Sequence, residues 1–186
     1  MATAARWTAD MVRALPDDPR NRYEVVDGVL LVTPAPAGRH QWVISRFVIE
    51  LGRYLGSLGL DELLFLSPAD ISWAHDVLVQ PDIFVLAEPM KQGWAEAKSL
   101  LLAIEVLSPS TRGADRGRKR AAYQRYNVGT YWIVDPDARA VEIWHPRDET
   151  PEIVKSTLHW RVSPDAPALS INLPRLFERL PGLPDR

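Results

Sequence analysis

Residues 100–111, LLLAIEVLSPST, decide how this chain is read: a strand-forming apolar run with a single carboxylate, Glu105, inside it. Leu101, Ala103 and Leu107 share the parity of Glu105, while Leu100, Leu102, Ile104 and Val106 take the other face. Both faces are apolar, so the strand is expected to be covered on both sides. An isolated buried carboxylate is costly and tends to stay neutral. Glu105 therefore calls for a cation, strong donors or a water-filled cleft beside it.

Residues 77–86, VLVQPDIFVL, repeat the pattern, with Asp82 among Leu78, Phe84 and Leu86. They read as one strand, in which Pro81 cannot donate to a ladder and so marks an edge or a bulge. Two acids on neighbouring strands can share one metal ion. The competing reading is that each acid is hydrogen-bonded near a strand end and does nothing further.

Residues 113–129, GADRGRKRAAYQRYNVG, read as a helix. At roughly 100° per residue, Asp115, Arg116, Lys119, Ala122, Tyr123 and Tyr126 lie within about 60° of one direction, while Arg118, Arg120 and Arg125 point away. Lys119 thus shares the apolar, inward face. The bland alternative is a surface Asp115–Lys119 pair worth only about 0.3–0.5 kcal/mol, with the lysine stem snorkelling outward.

Around these segments, residues 7–15 read as a short helix capped by Thr8, and residues 22–34 as a hairpin turning at Asp27-Gly28. Residues 39–59 form a long amphipathic helix with Ile44, Phe47, Val48, Leu51 and Leu55 at helical spacing. Residues 61–67 and 69–74 read as strands, and 87–99 as a loop. Residues 130–136 and 139–146 pair through the turn at 135–138; residues 152–157 and a last helix at 173–180 follow. With no repeat or linker, residues 1–186 are expected to form one α/β domain with a mixed β-sheet flanked by helices.

The 186 residues are 46% hydrophobic and 25% charged, an ordinary globular composition. No membrane span or signal peptide is read, and a cytoplasmic location is expected. The absence of cysteine excludes disulfides, zinc ribbons and thiol chemistry. Any metal would be held by carboxylates, carbonyls or the four histidines, which suit Mg²⁺ or Mn²⁺. A net charge of −2 argues against avid non-specific binding to nucleic acid. The seven tryptophans are scattered and read as core or interface anchors.

The order of "PD" in one strand, an acid in the next and a nearby lysine resembles the PD-(D/E)XK restriction-endonuclease-like superfamily. More closely, YEVVDG, QPDIFV, IEVLSPST, DRGRKRAAYQRYNVGTYWIVDP and VEIW resemble the Uma-type family of small stand-alone endonucleases, from Tyr23 to Trp144. The resemblance implies a restriction-endonuclease-like fold and Mg²⁺- or Mn²⁺-dependent hydrolysis of phosphodiester bonds in DNA. It implies Asp82, Glu105 and the Val106 carbonyl as metal ligands, Glu24 as a further ligand or a water-orienting group, and a homodimer. Leu107 stands where the wider superfamily has its lysine; in the Uma-type pattern Lys119 takes that part. His40, Ser108, Asp115 and Tyr123 are candidates for the cleft, although a capping or surface role suits His40 at least as well, a turn-and-cap role comes first for Ser108, and Glu24 is equally readable as an outward hairpin residue. Two other functions remain open: a nucleic-acid-binding or protein-interaction module that keeps the fold without turnover, and a phosphoesterase for a small substrate.

Overall fold

The computed structural model describes residues 6–180 apart from 36, 92, 95 and 96, and also residue 182. In chain order its first elements are α1 (Ala9–Arg13), β1 (Asn21–Val26), β2 (Val29–Pro34), α2 (Gly38–Ser57), β3 (Leu64–Leu66), β4 (Ile71–Ala74), β5 (Val77–Val79) and β6 (Ile83–Leu86). Then come β7 (Leu100–Val106), α3 (Arg112–Ala114), a π turn (Asp115–Lys119), α4 (Arg120–Arg125), β8 (Thr130–Asp135), β9 (Ala140–Trp144), β10 (Glu152–Val154), β11 (Thr157–Trp160), β12 (Leu169–Asn172) and α5 (Leu173–Phe177).

Local chemistry explains the entry to the fold. Thr8 Oγ1 accepts from Met11 N at 3.2 Å and caps α1. Asp27 and Gly28 both take positive φ, 54° and 76°, as a two-residue turn between right-twisted strands requires. The β1–β2 hairpin extends into a four-stranded antiparallel sheet in the order β2-β1-β5-β4.

The mixed sheet has six strands, β10-β9-β8-β7-β6-β3. Its one parallel pair, β7 with β8, needs a crossover, which the helical run from α3 through α4 supplies. Trp132 and Tyr131 are successive residues of β8 and so face opposite sides. Trp132 meets Phe47 of α2 at a ring separation of 6.2 Å, and Tyr131 meets Tyr123 of α4 at 4.4 Å. Helices therefore cover both faces, and β7 is buried on both, as its sequence required. Fully burying a side chain such as Phe47 contributes about 1.5–3 kcal/mol.

The structure departs from the sequence reading at residues 77–86. They form two strands, β5 and β6, in two different sheets. Pro81 has no N–H, and the Gln80 N–H donates to a Glu24 carboxylate oxygen at 2.6 Å instead of to a ladder. The chain thus leaves one sheet and enters the other at Pro81, and Asp82 stands at the crossing. Residues 61–63 form a 3₁₀ turn, leaving β3 only three residues. The hairpin β11–β12 lies in a tail from which only a strand at 152–157 and a final helix were expected. Residues 92, 95 and 96 of the loop at 87–99 lie outside the described residues. Among the described residues no helix is long and apolar enough to cross a membrane.

Candidate active site

Both sheets and both helical layers deliver a polar side chain to one point. Glu24 comes from β1, Asp82 from the crossing before β6, Glu105 from β7, His40 from the first turn of α2, and Lys119 from the end of the π turn. Ile83 pairs with Ile104 across β6 and β7, so Asp82, immediately before β6, comes opposite Glu105 of β7. These residues line a cavity of about 230 Å³, with Ser108 and Thr111 at its rim.

Exposure decides between the readings left open. Lys119 is 3% exposed and Glu24 5%, so neither the snorkelling lysine nor the outward hairpin glutamate describes this chain. Lys119 Nζ lies 2.5 Å from Glu105 Oε1, 3.0 Å from Glu24 Oε1 and 3.6 Å from Asp115 Oδ1. Burial alone would lower its pKa, but the three carboxylates outweigh burial and hold the ammonium charged well above the ordinary lysine range. The Tyr123 hydroxyl donates to Glu105 Oε1 at 2.7 Å. Burial pushes the Glu105 carboxyl well above the usual range; Lys119 opposes this, and Asp115, Asp82 and Glu24 reinforce it.

Asp82 is held differently. Its Oδ1 accepts from both terminal nitrogens of Arg22 at 3.1 Å, and its Oδ2 accepts from Val106 N at 2.9 Å and lies 3.0 Å from His40 Nε2. Burial would raise its pKa, but His40, Arg22 and the Val106 amide together hold it below the usual value. In extended backbone the N–H and C=O of one residue point to the same side, so the Val106 carbonyl faces the Asp82 side of β7.

Asp115 lies behind this group, 1% exposed; among the described residues neither carboxylate oxygen has a partner at full hydrogen-bond geometry, and only the nearby Thr111 side chain and Lys119 favour its charged form. Burial raises its pKa to about 6 against the pull of Lys119. The π turn is closed by Arg120 N donating to the Asp115 carbonyl, to which the Tyr131 hydroxyl also donates at 3.2 Å. Such turns interrupt the α-helical register and recur at functional sites. Ser108 bonds within its own turn, to Ser110 at 3.0 Å and Thr111 at 3.2 Å, which suits a capping segment that also borders the cavity.

Arg22 was missed by the sequence reading. Its parity with Glu24, two residues along β1, was the available signal.

A family model described as "Putative restriction endonuclease" matches residues 9–174. The chain belongs to the Uma2 family. No curated protein matches this Uma2 chain. Among solved structures it is similar to a "putative nuclease belonging to DUF820" from Anabaena variabilis ATCC 29413, with a TM-score of 0.74 and 20% identity over 92% of this chain and 97% of that one. That likeness shows the same mixed α/β fold.

In donor type, the site of this Uma2 chain suits a hard divalent cation, since Glu24, Asp82, Glu105 and the Val106 carbonyl offer only oxygen. Four buried carboxyl groups, Glu24, Asp82, Glu105 and Asp115, lie beside Arg22, Lys119 and His40, and burial pushes Glu105 and Asp115 toward the protonated form. Among the described residues, however, no three acidic or histidine side chains form a ready-made metal cage. The chain's own cations account for this: Lys119 bridges Glu24 and Glu105, and Arg22 with His40 holds Asp82.

Proposed function

We propose that this chain is an Mg²⁺- or Mn²⁺-dependent endonuclease that hydrolyses phosphodiester bonds in DNA. The observation that carries this reading is the meeting of Asp82, Glu105, Glu24 and a charged Lys119 in one buried cavity, within a chain of the Uma2 family. The chemistry that a divalent ion supplies at Asp82, Glu105 and the Val106 carbonyl is polarisation of a phosphoryl oxygen and acidification of water. Lys119, held protonated, cannot accept a proton. Its part is to donate hydrogen bonds to the attacking water and to steady negative charge growing on the phosphate. Proton acceptance then falls to a carboxylate or to solvent. Glu24 fixes the lysine from the opposite sheet, and Tyr123 fixes Glu105. His40 holds Asp82 from the other carboxylate oxygen. The reading includes a homodimer, since two strands need two sites and a two-fold pair is the commonest closed assembly.

The test is incubation of the purified protein with labelled double-stranded DNA, single-stranded DNA and RNA in EDTA, Mg²⁺ or Mn²⁺, beside Asp82→Ala and Lys119→Ala. Metal-dependent cleavage of DNA leaving 5′-phosphate ends is expected, reduced at least about 100-fold in both variants. Cleavage that persists in EDTA, or equally in Asp82→Ala, would sink the assignment. One observation favours a second reading, a nucleic-acid-binding module without turnover: Asp82 is already saturated by protein donors. DNA binding that survives EDTA, with no cleavage in either metal, selects it.

A further inference from the structure

A carboxylate has about four lone-pair directions to offer. All four on Asp82 are taken: two by Arg22 on Oδ1, and one each by Val106 N and His40 on Oδ2. A cation can reach Asp82 only if one of these donors leaves. Val106 N is fixed in β7, and the short His40 side chain, 8% exposed, is confined by burial in the first turn of α2, although among the described residues its Nδ1 has no partner. Arg22 is different. Its side chain is 22% exposed and long, and it also borders a second, larger cavity of about 690 Å³. That cavity meets the acid-lined one along Arg22, Gln80 and Asp82, so the guanidinium stands in the wall between them. Beyond Asp82, its one side-chain tether among the described residues is a hydrogen bond from Nη1 to Ser67 Oγ at 2.9 Å.

We propose that Arg22 is an exchangeable counter-ion: it neutralises Asp82 Oδ1 until a divalent cation takes that oxygen, and the released guanidinium then turns to a phosphate of the substrate strand. Arg22 is in this sense a positioning residue, and the proposal rests on the nuclease reading above. The exchange keeps the buried charge nearly balanced throughout. It also makes metal loading and substrate capture one event, because the two terminal nitrogens that converge on the single oxygen Oδ1 of Asp82 can, once released, present their planar fork to two oxygens of a phosphate.

The exchange predicts effects of opposite sign from one substitution. In Arg22→Gln, Mn²⁺ titrated calorimetrically should bind about tenfold or more tightly than in the wild type, since the competitor is gone. The same variant, in Ca²⁺ to hold back cleavage, should bind double-stranded DNA about tenfold or more weakly. Arg22→Lys, which keeps a cation but not the planar fork, should fall between the two in both measurements. A crystal structure of the wild type soaked in Mn²⁺ should show Arg22 out of hydrogen-bond reach of Asp82, which tests the exchange without any variant. Mn²⁺ binding that is lost in Asp82→Asn but unchanged or weakened in Arg22→Gln overturns the exchange and leaves the metal reading intact. Absence of Mn²⁺ binding from the wild type and Arg22→Gln alike overturns both.

Discussion

Asp115 sets a pH dependence that can be worked out from its surroundings. Its carboxyl is raised by burial from an ordinary 3.8 to about 6, so the folded state holds the proton more tightly than the unfolded chain does. That contribution favours folding below the ordinary value and is lost as pH rises through about 6. The shift of about two pH units corresponds to about 3 kcal/mol. Asp115→Asn removes the titration. Between about pH 4 and pH 7 the wild type should therefore lose about 3 kcal/mol relative to this variant, read from urea unfolding at each pH. A constant difference across that range would mean that Asp115 does not carry the proton. The sequence revealed Glu105 as a puzzle because its neighbours are apolar on both faces. Arg22 raised no such question: an arginine alternating along a hairpin strand is ordinarily a solvated residue, and nothing local says that its partner lies sixty residues away.

At the scale of elements, the position of Lys119 depends on how the crossover helix seats against the sheet. Gly129 closes that crossover. A Cβ built there would lie 2.8 Å from the Leu101 carbonyl oxygen, a backbone atom that cannot swing away. Gly129→Ala should push the start of β8 from β7 and cost about 1–3 kcal/mol in denaturant unfolding, with m unchanged. An unperturbed midpoint would show that the strands separate there without cost. Helical periodicity alone placed Lys119 inward, and the structure agrees. The π turn was not legible, because a shift from i+4 to i+5 bonding leaves no mark in apolar spacing. Nor was the break at Gln80, where a backbone N–H is claimed by a glutamate from β1. An unbroken apolar run reads the same whether it serves one sheet or two.

Across the whole molecule, Glu24 belongs to the four-stranded sheet and Glu105 to the six-stranded one, and Lys119 bridges them. Removing a partner from a buried ionic group typically costs about 3–5 kcal/mol, much of it from the charges left behind. Lys119→Met should lose that much in unfolding free energy, and Mg²⁺ should restore more of it than it adds to the wild type. Lys119→Met combined with Glu24→Leu should recover part of the loss without metal. If the double variant proves no more stable than the single one, the repulsion between Glu24 and Glu105 is not what the lysine relieves.

The ion pair between Arg125 Nη2 and Asp27 Oδ1, 2.5 Å apart, joins the end of α4 to the turn of the β1–β2 hairpin. Both side chains are well exposed, so the pair contributes little to stability, about 0–1 kcal/mol. Lys119 to Glu24 already pins the same helical run to the same hairpin. A bar held at one pin can pivot about it, whereas a bar held at two is indexed in angle as well as in position. The buried pin and the packing of Tyr123 on Tyr131 set the bearing of the helix, and the surface pair marks that bearing from outside without enforcing it.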